Sequence, residues 1–230
     1  MAFVRGLAGF GMAILLVPVL GLAIAPSSAV VVAHVLGFVV GLPELRMMWR
    51  ESEYTARIIA TLAVLATPLG MALLAITPPD LARLMIAAVA IATFVIVLLP
   101  RRPAGVPRRR VTLLTGLSSG LLSGFAAMPG VPVAPYYLGR AIAPSLARAS
   151  MMLIFFAVSV AGCASALALG LGTWRDGALA VALVPAILLG NRLARAPSGG
   201  FRLMPGGGLR VVCSAPRRWA RCCGPYTKVR

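Results

Sequence analysis

The chain has 230 residues, is 60% hydrophobic and only 12% charged, and carries a formal net charge of +17. Soluble domains hold about 25% charged residues, so the composition excludes an ordinary cytosolic enzyme or binding domain. Apolar runs recur near the ~20 residues that cross a bilayer as a helix. They are rich in Ala, Leu and Gly and lack period-2 alternation, which predicts an all-α polytopic transmembrane helical bundle rather than a β-barrel. The lipid bilayer is therefore the expected surrounding.

The basic balance suggests a nucleic-acid partner, but its placement argues for a membrane. Before residue 190 thirteen Arg face five acids, for a net of +8, and the basic residues cluster in short loops between apolar runs. That is the distribution of the positive-inside rule. The last 40 residues add nine Lys and Arg and no acid, and they alone could invite nucleic acid, so no nucleic-acid binding is expected.

The first apolar run begins at Ala2, contains Pro18 and continues into a second run. It reads as a retained span, not a cleaved signal peptide. Span one covers about 3–22 and is interrupted by Gly6, Gly9, Gly11 and Pro18; span two covers about 27–40. The polar loop "PELRMMWRESEYTAR" precedes span three, about 58–76, with Pro68 and Gly70 inside it. In the turn "TPPDLAR", Asp80 is placed to cap span four, about 84–99. The linker "PRRPAGVPRRR" carries five Arg and three Pro. Beyond it lie span five, about 111–138 and broken by Gly and Pro, span six, about 145–169, and span seven, about 178–189.

Threading these spans puts Arg5, Arg46, Arg50, Arg57, the five linker Arg and Arg175 on one side. Arg83, Arg140 and Arg148 fall on the other. The excess predicts a cytoplasmic amino terminus and linker in a multi-pass protein of the cell inner membrane.

"LGLAIAPSSA" at 20–29 returns as "LGRAIAPSLA" at 138–147, with eight of ten positions identical and an offset of 118. "GF" at 9–10 matches "GF" at 124–125, and "RLM" at 83–85 matches "RLM" at 202–204. The pattern predicts two tandem four-helix repeats. Residues 1–100 form the first membrane repeat, 101–110 the basic linker, 111–204 the second repeat and 205–230 an atypical basic tail. An even span number keeps both repeats in one orientation, with both "AIAPS" turns on the outer side. Internal repeats recur in transporters, with a site where the halves meet; a duplicated bundle with no transport path has the same signature.

Each repeat opens on a helix unsuited to simple anchoring, the second reading "GLSSGLLSGFAAMPGVPVAPYYLG". Three prolines and a glycine in "MPGVPVAP" predict an unwound segment over Met128–Pro135, tolerated in a membrane only inside protein or beside a wet cavity. Free N–H groups at such a break bind anions. The candidate substrate path is thus Gly9, Gly11 and Pro18 with Gly124, Pro129, Gly130, Pro132 and Pro135. For the Gly at 6, 9 and 11, small-residue helix packing is the competing reading.

His34, the sole histidine, lies within span two. It is either a proton relay for anion–proton coupling or a neutral histidine bonded between helices. Arg140 and Arg148 flank the second turn, either drawing anions toward an entrance or snorkelling at the interface. Tyr136 and Tyr137 read as packing or interfacial residues. One His and five scattered acids supply no catalytic triad or paired-carboxylate centre, so no enzyme is expected. Cys163, Cys213, Cys222 and Cys223 match no zinc spacing or disulfide framework. No metal or other cofactor is expected.

The run "FVRGLAGFGMAILLVPVLGLAIAPSSAV", repeated more weakly after a basic linker, resembles the TauE/SafE family of sulfite-exporter-like and toluene-sulfonate uptake permeases over about residues 1–204. The second copy departs from the Gly-rich pattern in "AAMPGVP". The resemblance implies two repeats of about four spans and the movement of sulfite, sulfonates or related small organic anions. After the second "RLM" the chain continues "PGGGLRVVCSAPRRWARCCGPYTKVR" where the first copy has an apolar span. Seven spans are present and the eighth is replaced. A reading-frame shift between Arg192 and Pro205 and a natural basic tail both fit, and the former leaves a truncated, inactive transporter as the alternative.

Overall fold

The computed structural model describes residues 16–98, 108–140 and 142–195. Gly9, Gly11, the linker over 99–107 and the tail from 196 lie outside them. So do the expectations about the amino-terminal side and the eighth span.

Every regular element among the described residues is helical. Helix α1 covers 16–23, followed by α2 (Pro26–Gly41), a single 3₁₀ turn (Leu42–Glu44) and α3 (Leu45–Glu51). Then come α4 (Tyr54–Ile76), α5 (Pro79–Leu98), α6 (Arg109–Ala126) and α7 (Gly130–Leu138). Helices α8 (Pro144–Ala168) and α9 (Trp174–Arg195) complete the described chain. The segments Pro26–Glu51, Tyr54–Ile76, Pro79–Ile96 and Pro144–Ala168 are each long and apolar enough to cross a membrane. Outward-facing Leu65, Leu69, Phe94, Leu114 and Val181 are more than 60% exposed, as side chains are when lipid rather than water surrounds the bundle. The stretch 43–57, read as a polar loop, instead folds into the 3₁₀ turn, α3 and the first residues of α4. Met48 on α3 is fully buried against Ala56 and Ile59 at the start of α4, and that apolar contact holds the segment in place.

Helices α4 and α6 form the tightest contact. They run parallel, with Gly116 against Ile59 and Leu62, Gly120 against Ala63, and Gly124 against Thr67 and Met71. A Cβ at Gly120 would stand 2.2 Å from the Ala63 carbonyl oxygen, and one at Gly124 would stand 2.1 Å from that of Thr67. On α4, Gly70 does the same against the Leu121 carbonyl. The 116–120–124 spacing is the small-xxx-small pattern that lets helix backbones touch in a membrane.

Span five does not cross once. After α6 the chain reverses, and α7 runs back along it. Ser119 Oγ donates to the Pro129 carbonyl at 3.1 Å, and the Thr112 and Tyr136 hydroxyls share a hydrogen bond at 3.0 Å. The pair is a helical hairpin that re-enters the bundle and returns to the end where α6 began.

That reversal turns over everything after it. Helix α8 runs antiparallel to α2, pairing Gly162 with His34, Ser159 with Gly37, and Phe156 with Gly41. Residue 172, past the end of α8, meets Val31 near the start of α2. The start of α8 meets the start of α4, where the Glu53 backbone N–H donates to Ser150 Oγ at 3.0 Å. The two "AIAPS" turns therefore lie at opposite ends of the bundle, which corrects the expectation that both face outward. The extra pass made by α7 is the cause. Both turns still start a helix in the same way, with Ala25 (φ −59°, ψ 140°) and Ala143 (φ −58°, ψ 133°) each preceding a proline in the first turn.

Gly120→Ala is expected to destabilise the bundle by about 1–3 kcal/mol, because its methyl meets backbone rather than a yielding side chain. Gly177→Ala, which has nothing within 4 Å, is expected to change stability by less than about 0.5 kcal/mol. Thermal unfolding in detergent compares the two.

Candidate functional site

The site is built around the point where α6 stops. Ala127 takes the left-handed conformation (φ 53°, ψ 31°), at a cost of about 1–2 kcal/mol for a residue with a Cβ. Its N–H donates to the Ser123 carbonyl at 2.7 Å, and the Met128 N–H reaches the Leu122 carbonyl at 3.4 Å. Ala126, Ala127 and Met128 are buried in one cluster with Val17 of α1, Val30 of α2, Met71 of α4 and Ala166 of α8. The break thus lies inside protein, as irregular backbone at membrane depth must.

The break is shorter than the unwound Met128–Pro135 expected, because helix resumes at Gly130. Pro132 falls in the first turn of α7, where N–H groups have no intrahelical acceptor. Pro135 removes one interior bond and is carried within the helix. The interruption is confined to 127–129.

His34 stands beside this break and is 3% exposed. Its Nδ1 lies 3.0 Å from the Val30 carbonyl. A carbonyl can only accept, so Nδ1 carries the proton and the neutral ring presents its Nε2 lone pair. Nε2 faces the Ser123 hydroxyl at 3.5 Å. Gly162 leaves room for the ring, since a Cβ there would fall 1.4 Å from His34 Cδ2. One turn before Ser123, Ser119 is also fully buried. The arrangement offers hydroxyls, an imidazole lone pair and the amino-terminal N–H groups of α7 at one level of the membrane.

Of the residues singled out from the sequence, His34, Pro129 and Gly130 come together at the break. Pro18 lies on α1, whose Val17 packs into the same cluster. Gly124 packs against α4 and does not line the break, while Pro132 and Pro135 shape α7. Ser119, Ser123 and Gly162 escaped sequence reading, although serines in a membrane span are a visible signal.

Arg140 lies elsewhere. At the far end of α7 it makes two bonds to Glu53, Nη1 to Oε2 at 2.7 Å and Nη2 to Oε1 at 2.8 Å. Its guanidinium also faces the rings of Tyr136 at 5.5 Å and Tyr137 at 6.0 Å. The Tyr137 hydroxyl is 3.4 Å from Thr55 Oγ1. Arg140 is therefore paired at the end where α4 and α6 begin, and neither a free anion attractor nor a snorkelling side chain. The Arg140 guanidinium holds the Glu53 carboxyl below its ordinary value, and Glu53 raises Arg140 in turn.

The break, its two serines and the histidine are thus enclosed together by the surrounding helices. The sequence matches the family described as Sulfite exporter TauE/SafE over residues 1–214. The chain belongs to the TauE/SafE family. It is thus a multi-pass protein of a membrane-transporter family. No curated protein and no solved structure matches it. The TauE/SafE match takes in Gly9, Gly11 and the first ten residues of the segment read as an atypical tail.

The depressed Glu53 value has a pH signature. Above its ordinary value of 4.5 the pair contributes in full. As pH falls below that, the unfolded chain takes up a proton before the folded one, and stability declines through the folded value. Melting temperatures of the wild type between pH 6 and 3 are expected to show this decline, and Arg140→Gln to flatten it.

Proposed function

We propose that this TauE/SafE protein is an inner-membrane permease for a small anion such as sulfite, a sulfonate or a related organic anion. The substrate passes the α6–α7 break, in contact with His34, Ser119 and Ser123. The observation that carries this reading is the re-entrant hairpin, whose break is enclosed at membrane depth beside the sole histidine. The first N–H groups of α7, at Gly130 and Val131, lack intrahelical acceptors by position, and the helix dipole favours negative charge there. Serine hydroxyls add donors without a fixed charge, so an anion is held weakly enough to leave.

The chain is organised as two copies of one unit, and its sidedness follows from the arginines. Arg46, Arg50, Arg57, Arg108, Arg109, Arg110, Arg140 and Arg148 belong to the end where α4, α6 and α8 begin. Arg83 and Arg175 belong to the opposite end. By the positive-inside rule the first end is cytoplasmic. Relative to the count from sequence alone, Arg140 and Arg148 move to the cytoplasmic end and Arg175 moves out, which sharpens the asymmetry. His34 couples anion movement to a proton, since its Nε2 lone pair can accept one as the anion arrives.

Purified protein in liposomes is expected to pass sulfite or a small sulfonate under an imposed gradient, and Ser123→Ala to slow that flux about tenfold, the loss of one charge-assisted hydrogen bond. Absence of flux for sulfite, sulfonates and small carboxylates alike would overturn the assignment. His34→Gln is expected to remove the pH dependence of flux; flux that responds to pH as in the wild type would dispose of proton coupling.

A further inference from the structure

Helices α2 and α8 meet about a point of local symmetry. Phe38 and Phe156 stack with ring centroids 5.8 Å apart and an interplanar angle of 21°. These two residues are 118 positions apart, the offset that relates the two copies of the turn. Equivalent residues touching each other is the mark of a two-fold axis. The other contacts obey it. Gly41 against Phe156 and Gly37 against Ser159 map onto the same helix faces when the copies are exchanged. The offset also carries α4 onto α9, and α4 packs on α8 as α9 packs on α2. Because α2 and α8 are antiparallel, the axis lies in the membrane plane.

Within the ten-residue turn only two positions differ between copies, Leu22 against Arg140 and Ser28 against Leu146. Each polar member makes a contact its counterpart cannot. Arg140 is bolted to Glu53, immediately before α4, with its own side chain 8% exposed. Ser28 lies close enough to Asp176, in the first turn of α9, to help Thr173 hold its carboxyl below the ordinary value. Asp176 is 3% exposed and also accepts from Thr173 N at 2.9 Å and Thr173 Oγ1 at 2.7 Å. At each end, then, one copy's turn meets the start of the other copy's third helix, through a two-bond ion pair at one end and through the neighbouring Ser28 and Asp176 at the other. Leu22, the counterpart of Arg140, is 83% exposed and fastened to nothing of the kind.

We propose that the two copies are inverted repeats about an axis through Phe38 and Phe156, and that the two positions where their turns differ are opposing gates, Glu53–Arg140 at the arginine-rich end and Ser28–Asp176 at the other. Releasing one gate lets that copy's turn move off the partner's third helix and exposes the break around Ser123 to that side alone. The proposal rests on the permease reading for its purpose, but its geometry is testable without a substrate.

The test places a single cysteine at Ser123 in full-length protein whose four native cysteines are replaced by alanine. A membrane-impermeant maleimide is applied to vesicles from the arginine-rich side or from the opposite side. Arg140→Ala and, through the other partner, Glu53→Gln are expected to raise labelling from the arginine-rich side about tenfold. That is the room available to a minor state populated at ~10% or below. Asp176→Asn and Ser28→Ala are expected to raise labelling from the opposite side only. Labelling that is unchanged, or that rises equally from both sides, would overturn the gates and leave these contacts structural. In a second arm, cysteines at 53 and 140 are joined by a short reducible bifunctional thiol reagent. Joined protein is expected to lose flux and regain it on reduction, whereas native flux while joined overturns the inner gate. If no anion moves even in unjoined protein, the permease reading fails while the labelling arm still decides the gates.

Discussion

Hydrocarbon offers no partner to a free N–H or carbonyl, and the architecture follows from that constraint. A chain that reverses at Ala127, near membrane depth, must bring its own enclosure. The parallel contact of α4 with α6 supplies it. The Gly116, Gly120 and Gly124 stripe lets α6 lie against the α4 backbone, and this places Met71 beside Phe125–Met128. Without that approach the end of α6 would face lipid. The glycines that look like a weakness in a helix are thus what allows the helix to stop where it does.

The enclosure also determines which polar groups can be tolerated. Buried hydroxyls on these helices mostly bond back to their own backbone, as Thr67 does to Ala63, Ser159 to Phe155 and Ser165 to Ala161. Such side chains are satisfied within one helix and leave little to offer a ligand. Ser119 and Ser123 differ, because their partners are Pro129 and His34 on other elements. A hydroxyl that reaches across an interface can exchange its partner when the interface moves. This separates the serines of the break from the polar residues that only serve their own helix.

Much of this was legible in the sequence, and the remainder failed for physical reasons. Composition and run length suffice for a helical membrane bundle, because burial in lipid demands apolar runs of fixed length. The repeated Pro turn marks helix starts, since proline at a first helical position is a local matter. What local pattern does not carry is direction. "AAMPGVP" announces an interruption, yet the same residues allow a kink, an unwound stretch or a reversal. Ala127, which makes the reversal, has no left-handed preference at all; the packing of Phe125 and Met128 imposes it. One undetected pass then inverts every later assignment, so Arg140 and Arg148 stand at the end opposite to the one that counting spans gives, with Arg140 against Glu53.

The unequal chemistry of the two fastened ends bears on which state the protein prefers. At the arginine-rich end a two-pronged ion pair is largely withdrawn from solvent and backed by two aromatic rings, so both charges are matched. At the other end Asp176 is held chiefly by Thr173 of its own loop, with Ser28 as one neutral donor among several. Removing Ser28 from that set leaves the carboxylate still bonded, whereas separating Arg140 from Glu53 strands two charges at once. The contact between Ser28 and Asp176 therefore opens more readily than the Arg140–Glu53 pair. On the proposed reading, the protein rests closed toward the arginine-rich end and samples the opposite side, and an anion arriving at the break would supply what the Arg140–Glu53 pair gives up.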